Sequence, residues 1–106
     1  MRWTVLVLPA AREELVALPP GLGARMVRLL DLISDYGLDQ MREPHVKHLD
    51  GKLWELRAKA AEGIARGLYM TVTGRRVVVL HVFVKKSDRT PLRAIALARA
   101  RMQELD

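Results

Sequence analysis

The sequence predicts an α+β domain: a small, mostly antiparallel sheet with its helices packed on one face. Three observations predict it. Apolar, β-branched runs of strand length stand at Trp3–Leu8 and, in three hairpin-linked pieces, between Leu53 and Val84. Apolar residues at helical spacing lie between the first run and the second. A last helical stretch closes the chain, so the order is strand, helix, helix, three strands, helix. The 106 residues suffice for one domain spanning 1–106, with no repeat, linker or low-complexity segment.

The elements follow in order. Trp3 to Leu8 is a strand stopped by Pro9. Ala10 to Leu18 has Glu13 and Glu14 near its start and Pro19-Pro20 behind it, the marks of a short helix. Leu22, Met26, Leu29 or Leu30, and Ile33 form a core-facing helical stripe, and Gly37 offers a left-handed exit. Leu38 to Lys52 reads as a polar connection. Leu53–Lys59 and Ile64–Val72 pair around a tight turn at 60–63, and a turn at 73–75 leads into Arg76–Val84. That last strand is the most apolar and is expected at the centre. Thr90 is expected to cap the final helix with Pro91 at its first position. Leu92, Ile95, Arg99, Met102 and Leu105 follow at helical spacing.

Net charge is +6 and the pI about 10.3. So basic a short chain suits a polyphosphate partner, because neutralised phosphates release counterions. An anionic membrane surface is the rival, but no apolar run approaches a membrane span and no secretory leader can be read. With no cysteine there are no disulfides or thiolate metal sites, and the reducing cytoplasm is the expected compartment.

Hairpin register says where the charges land. A turn at Ala61-Glu62 sets Lys59 opposite Ile64 and Arg57 opposite Arg66. A two-residue turn at Gly74-Arg75 sets Arg66 opposite Phe83 and Ile64 opposite Lys85. Side chains alternate along a strand, so Trp54, Leu56, Tyr69, Leu80 and Val82 share a core face. Glu55, Arg57, Arg66, Leu68, His81, Phe83 and Lys85 share the other, with Arg66 on a strand surface. Two arginines directly opposite repel each other unless an anion or an acidic group lies between them. Spacing leaves two readings open. In one the cluster is an anion site. In the other it is a solvated charged face, with Glu55 paired diagonally to Arg66 and Glu62 screening Lys85 or Lys86.

The second half of the chain resembles HigB-type toxins of the RelE superfamily. The resemblance rests on HLDGKLWELR (His48 to Arg57) and ARGLYMTVTGRRVVVLHVFVKKSDRTP (Ala65 to Pro91). Its most specific pieces are LWELR, Arg66-x-x-Tyr69, Leu80-His81-x-Phe83, and Lys85-Lys86 followed by Thr90-Pro91. It implies a RelE-like fold and a toxin of a type II toxin–antitoxin system. The implied activity is a metal-independent endoribonuclease, a hydrolase of mRNA that acts on the ribosome and inhibits translation. It also implies a cognate antitoxin of helix-turn-helix type, through which alone the toxin would reach operator DNA. Residue by residue, Arg57, Arg66 and Lys85 or Lys86 fall where the superfamily places cations against the scissile phosphate. Some members add a tyrosine or histidine in or just before the last helix; here 87–106 contains neither.

Metal-free RNA cleavage requires activation of a 2′-hydroxyl, stabilisation of a phosphorane and protonation of the leaving oxygen. Arg57 and Arg66 suit the phosphate clamp, since guanidinium does not deprotonate. Lys85 among cations is a candidate proton carrier. His48 and His81 are candidate acid–base groups, each with a structural alternative. Lys47, Lys52 and Arg93 are candidate RNA-binding residues. His45 and His48 are spaced as HxxH but lie in a loop without cysteine, so neither a metal nor any other cofactor is expected. Trp3 and Trp54 are expected in the core. Two other readings remain: a gyrase-inhibiting toxin of the same fold, and a non-catalytic nucleic-acid-binding module.

Overall fold

A computed structural model describes residues 2–38, 41, 45–85 and 89–105. The elements are β1 (Thr4–Val7), α1 (Pro9–Val16), α2 (Pro20–Tyr36), β2 (Val46–Asp50), β3 (Leu53–Ala60), β4 (Gly63–Val72), β5 (Arg76–Val84) and α3 (Leu92–Gln103). They form one five-stranded mixed sheet in the order β1-β5-β4-β3-β2, with β1 parallel to β5 and every other pair antiparallel. The α+β class is the expected one. β5 lies inside the sheet, flanked by β1 and β4, while β4 takes the middle place.

The helices do not share one face. On one side α1 and α2 bury Ala11, Leu22, Met26, Leu29, Leu30 and Ile33 against Leu56, Tyr69, Val77, Val79 and Val82. On the other, Ala94 and Ala98 of α3 pack on Leu53, Leu68, Met70, Val78 and Leu80. The reason is in the central strands, which carry apolar side chains on both faces and so need cover on both. The α2 stripe is as expected, and Gly37 ends that helix at φ 92°. A side chain at Gly37 would also collide with the Trp3 indole, 2.7 Å from where its Cβ would stand. Trp3 and Trp54 pack against the α1/α2 core, also as expected.

Two local errors in the expected register cancel. The β4–β5 turn spans three residues, because Val72 pairs with Arg76, and Gly74 and Arg75 both take positive φ. A bulge between Val79 and His81 then restores the offset, so Leu68 meets His81 and Arg66 meets Phe83 as expected. Leu80 is the inserted residue. It therefore turns to the α3 side and leaves the face of Trp54 and Tyr69, correcting its assignment. The segment read as a polar connection contains β2, an edge strand whose V-K-H-L-D composition hides its alternation. Thr90 does not cap α3. Pro91 stands at the N-cap position, no side chain caps it, and the Thr90 hydroxyl bonds elsewhere.

Candidate nucleic-acid interface

β3 and β4 hold Arg57 opposite Arg66, and β4 and β5 hold Arg66 opposite Phe83. The group between the two arginines is Glu55, two residues before Arg57 and on the same face. Its side chain is 0% exposed, like that of Arg66. Arg57 Nε donates to Glu55 Oε2 at 2.6 Å. Arg66 lies 3.8 Å from Oε1 and donates to the Thr90 hydroxyl at 3.2 Å. Thr90 in turn donates to Glu55 Oε1. Like charges on adjacent strands thus coexist through a buried carboxylate and a hydroxyl. The anticipated diagonal contact of Glu55 with Arg66 is present, but the tighter partner is Arg57. Arg66 is a buried residue, not the surface residue expected, and Thr90, just before α3, lies against its guanidinium. Arg57 remains 23% exposed.

Beside this network a groove of about 340 Å³ opens between β5 and the N-terminal half of α3. His81, Phe83, Val84, Lys85, Arg93 and Leu97 are among its lining residues. The His81 and Phe83 rings stack, with centroids 4.8 Å apart and planes at 26°. Neighbouring strands are about 4.8 Å apart, so Arg57 on β3 lies roughly 10 Å across the face from Phe83 on β5.

His81 is anchored from behind. Its Nδ1 lies 3.0 Å from Glu14 Oε1, which also accepts the Val82 backbone N–H at 3.0 Å. Arg101 Nη1 donates to the same oxygen at 2.9 Å, Nη2 donates to Oε2 at 3.2 Å, and Nη1 also donates to the Leu80 carbonyl at 2.8 Å. β1 pairs with β5 from Thr4 and Arg76 as far as Val7 and Val79, short of Val82, whose N–H finds its acceptor in Glu14 of α1. Partial burial pushes the Glu14 pKa up, but the bonds from Arg101, His81 and Val82 outweigh it and hold the carboxyl below its ordinary value.

The other expected residues divide. Lys85 lines the groove, and its backbone N–H bonds the Ile64 carbonyl, as the register required. Arg93 lines it from α3. Lys47 pairs with Glu55 across β2 and β3, so it shares the polar face and is exposed. His48 does not join the cluster. It pairs with Trp54 on the opposite face, meets that ring edge-on at 4.7 Å, and bonds the Gly51 carbonyl through Nε2 at 2.8 Å. Alternation along β2 puts it there. Lys52 does not join either. It lies in a hollow with Asp50, Arg99, Met102 and Gln103, near the C-terminal end of α3. Nine helical residues, about 13 Å, separate Arg93 from that end. Lys86 lies outside the described residues. Glu62 makes no ion pair with Lys85 among the described residues: its Oε2 accepts the Gly21 N–H at 2.9 Å and so serves the first turn of α2. Among the described residues no three histidine, aspartate or glutamate side chains gather as a metal site. None of the described helices is long and apolar enough to cross a membrane.

Glu14 is the residue that sequence reasoning missed, having been treated only as an acid near a helix start. The available signal was β1 itself. Stopped at Pro9, it leaves the second half of β5 without a neighbour on that side, and an acidic α1 follows directly.

Fold and site together define a small α+β protein with a cation-lined groove between its last strand and last helix. Residues 13–103 match the family described as "Phage derived protein Gp49-like (DUF891)". The chain belongs to that family, a RelE-like family associated with toxin–antitoxin systems. No curated protein matches it.

Proposed function

We propose that this chain is the toxin of a type II toxin–antitoxin pair, a metal-independent endoribonuclease that cleaves mRNA on the ribosome and so stops translation. The observation that carries the reading is the groove, where Lys85, Arg93 and His81 meet beside the Phe83 ring on the same sheet face as Arg57. Family membership and the net charge of +6 support it. The two groove cations and Arg57 hold the RNA phosphates. Phe83 offers an apolar surface to a base, and His81 or Lys85 moves the proton. The cognate antitoxin, a helix-turn-helix protein, neutralises the toxin, acts in the cytoplasm and brings the pair to operator DNA.

Primer extension on a translated message, with analysis of the product ends, tests this. The expected products end in a 2′,3′-cyclic phosphate and begin with a 5′-hydroxyl. Expression alone arrests growth, and co-expression of the adjacent antitoxin restores it. Intact message and normal growth at confirmed levels of folded protein would remove the proposal.

One observation favours a second reading. Arg66 is fully buried and shares Glu55 with Arg57, so one of the pair's two charges is already balanced within the protein. A phosphate-binding module without cleavage fits that arrangement. It would bind RNA with a steep salt dependence and leave it intact.

A further inference from the structure

We infer that Glu14 is a positioning residue for His81, fixing the tautomer that turns its other ring nitrogen into a proton acceptor toward the groove. The inference rests on the nuclease reading and names a residue pair within that site. Its ground is geometric. Glu14 Oε1 lies 3.0 Å from His81 Nδ1 and is itself fixed from two other elements, by the Val82 N–H and by Arg101 of α3. An ionised carboxylate only accepts hydrogen bonds, so Nδ1 must carry the proton. In the neutral ring Nε2 is then the lone-pair nitrogen. It is the one ring nitrogen that Glu14 does not engage, on a side chain that lines the groove with Lys85 and Arg93.

The step this permits balances simply. Nε2 takes the proton of an RNA 2′-hydroxyl while that oxygen bonds to the adjacent phosphorus. The P–O5′ bond breaks, and the departing 5′-oxygen receives a proton from Lys85 or water. Glu14 touches no substrate. It acts by holding the ring and by stabilising the imidazolium once formed.

The test pairs kinetics with spectroscopy. Glu14→Gln is expected to lower kcat about 10- to 100-fold with KM for RNA unchanged, in the range general acid–base groups contribute. The double variant Glu14→Gln/His81→Gln is expected to be no slower than His81→Gln alone. Imidazole 15N shifts of the intact protein are expected to show the Nδ1–H tautomer for His81 in the wild type and a mixture in Glu14→Gln. A pure Nδ1–H signal in both proteins overturns the inference. So does wild-type cleavage by His81→Gln, which leaves the nuclease reading standing if Arg57→Ala is inactive. If the wild type cleaves no RNA at all, the nuclease reading fails. The tautomer result still decides whether Glu14 sets the ring.

Discussion

Two carboxylates organise the polar side of this sheet, and they do so differently. Glu55 is wholly buried, and its oxygens are taken up by Arg57, Thr90 and the nearby Arg66. Glu14 sits at the open edge of β5 with its side chain 25% exposed, and one of its partners, His81, lines the groove. Both collect cations, yet only one leaves a titratable partner at a place that a ligand can enter. Burial converts the Glu55 network into a structural joint between β3, β4 and the approach to α3. Partial exposure keeps the Glu14 network next to solvent, where chemistry is possible. The number of arginines near a carboxylate therefore says less about function than the accessibility of what that carboxylate holds.

The largest effect should come from breaking the buried joint. Arg66→Ala leaves Glu55 short of a partner in the interior, and Glu55→Ala leaves Arg66 facing Arg57. Removing one member of a buried pair typically costs about 3–5 kcal/mol. Urea unfolding should show each variant losing stability on that scale. A loss within about 0.5 kcal/mol, the usual range for surface positions, would mean that the joint is no tighter than a surface pair. Arg66→Ala is consequently a poor probe of catalysis, since lost cleavage would reflect lost fold.

Arg57→Ala is the sharper probe and ranks next. The side chain is partly exposed, so less stability should be lost than in Arg66→Ala even though Glu55 loses its 2.6 Å partner, and cleavage is compared where the variant is shown to be folded. Loss of a preorganised charge contact to the transition state is expected to slow cleavage about 10²–10³-fold, roughly 2.7–4 kcal/mol on the barrier. Lys52→Ala, at the far end of α3, serves as the comparison and should cleave normally. Primer extension on a translated message, with circular dichroism on each protein, separates the two. Equal rates for Arg57→Ala and wild type would leave the groove without support from this cation.

The sheet register around Arg57, Arg66 and Phe83 was legible because short hairpin loops dictate pairing and alternation dictates face. It was legible partly by compensation, since the extra turn residue and the bulge at Leu80 offset each other. What alternation cannot show is cover. Nothing local to Arg66 says that Thr90, distant in sequence, will lie against it, so a buried arginine read as a surface one. The side of the sheet taken by α3 was hidden for a related reason. Of the expected stripe of Leu92, Ile95, Arg99, Met102 and Leu105, Ile95 and Met102 do pack on the core, but the buried contacts are Ala94 and Ala98, small residues that pattern reading passes over. Glu14 was hidden because its role arises where β1 stops short of the full length of β5.

A smaller effect is expected at the start of α2. That helix begins at Pro20 behind Pro19, with no capping side chain of its own, and Glu62 from the β3–β4 turn supplies the acceptor. Glu62→Ala should cost about 1 kcal/mol, as the loss of an N-terminal cap does. Gly21→Ala should cost a similar amount, because its Cβ would stand 2.2 Å from Glu62 Oε1 and push the carboxylate off. Thermal unfolding of the double variant should show less than the sum of the two, since both remove one contact. Strict additivity would mean that Glu62 acts elsewhere.

The smallest expected effect is in acid, and it separates the two carboxylates directly. The Glu14 carboxyl titrates below its ordinary value of 4.5 in the folded chain. A depressed folded value means that the native state binds this proton less readily than the unfolded chain does. The resulting stabilisation is fully present above the unfolded pKa near 4.5 and is lost as pH falls through the lower folded value. Urea midpoints of the wild type should therefore fall between pH 6 and pH 3, and part of that fall should disappear in Glu14→Gln. Solvent screening at a partly exposed site keeps the difference small. The change should also track Arg101→Ala, because Arg101 supplies two of the bonds that hold the carboxylate ionised. An acid fall of the same size in wild type and Glu14→Gln would assign the pH dependence to other carboxylates and leave Glu14 as a cap on the β5 edge alone.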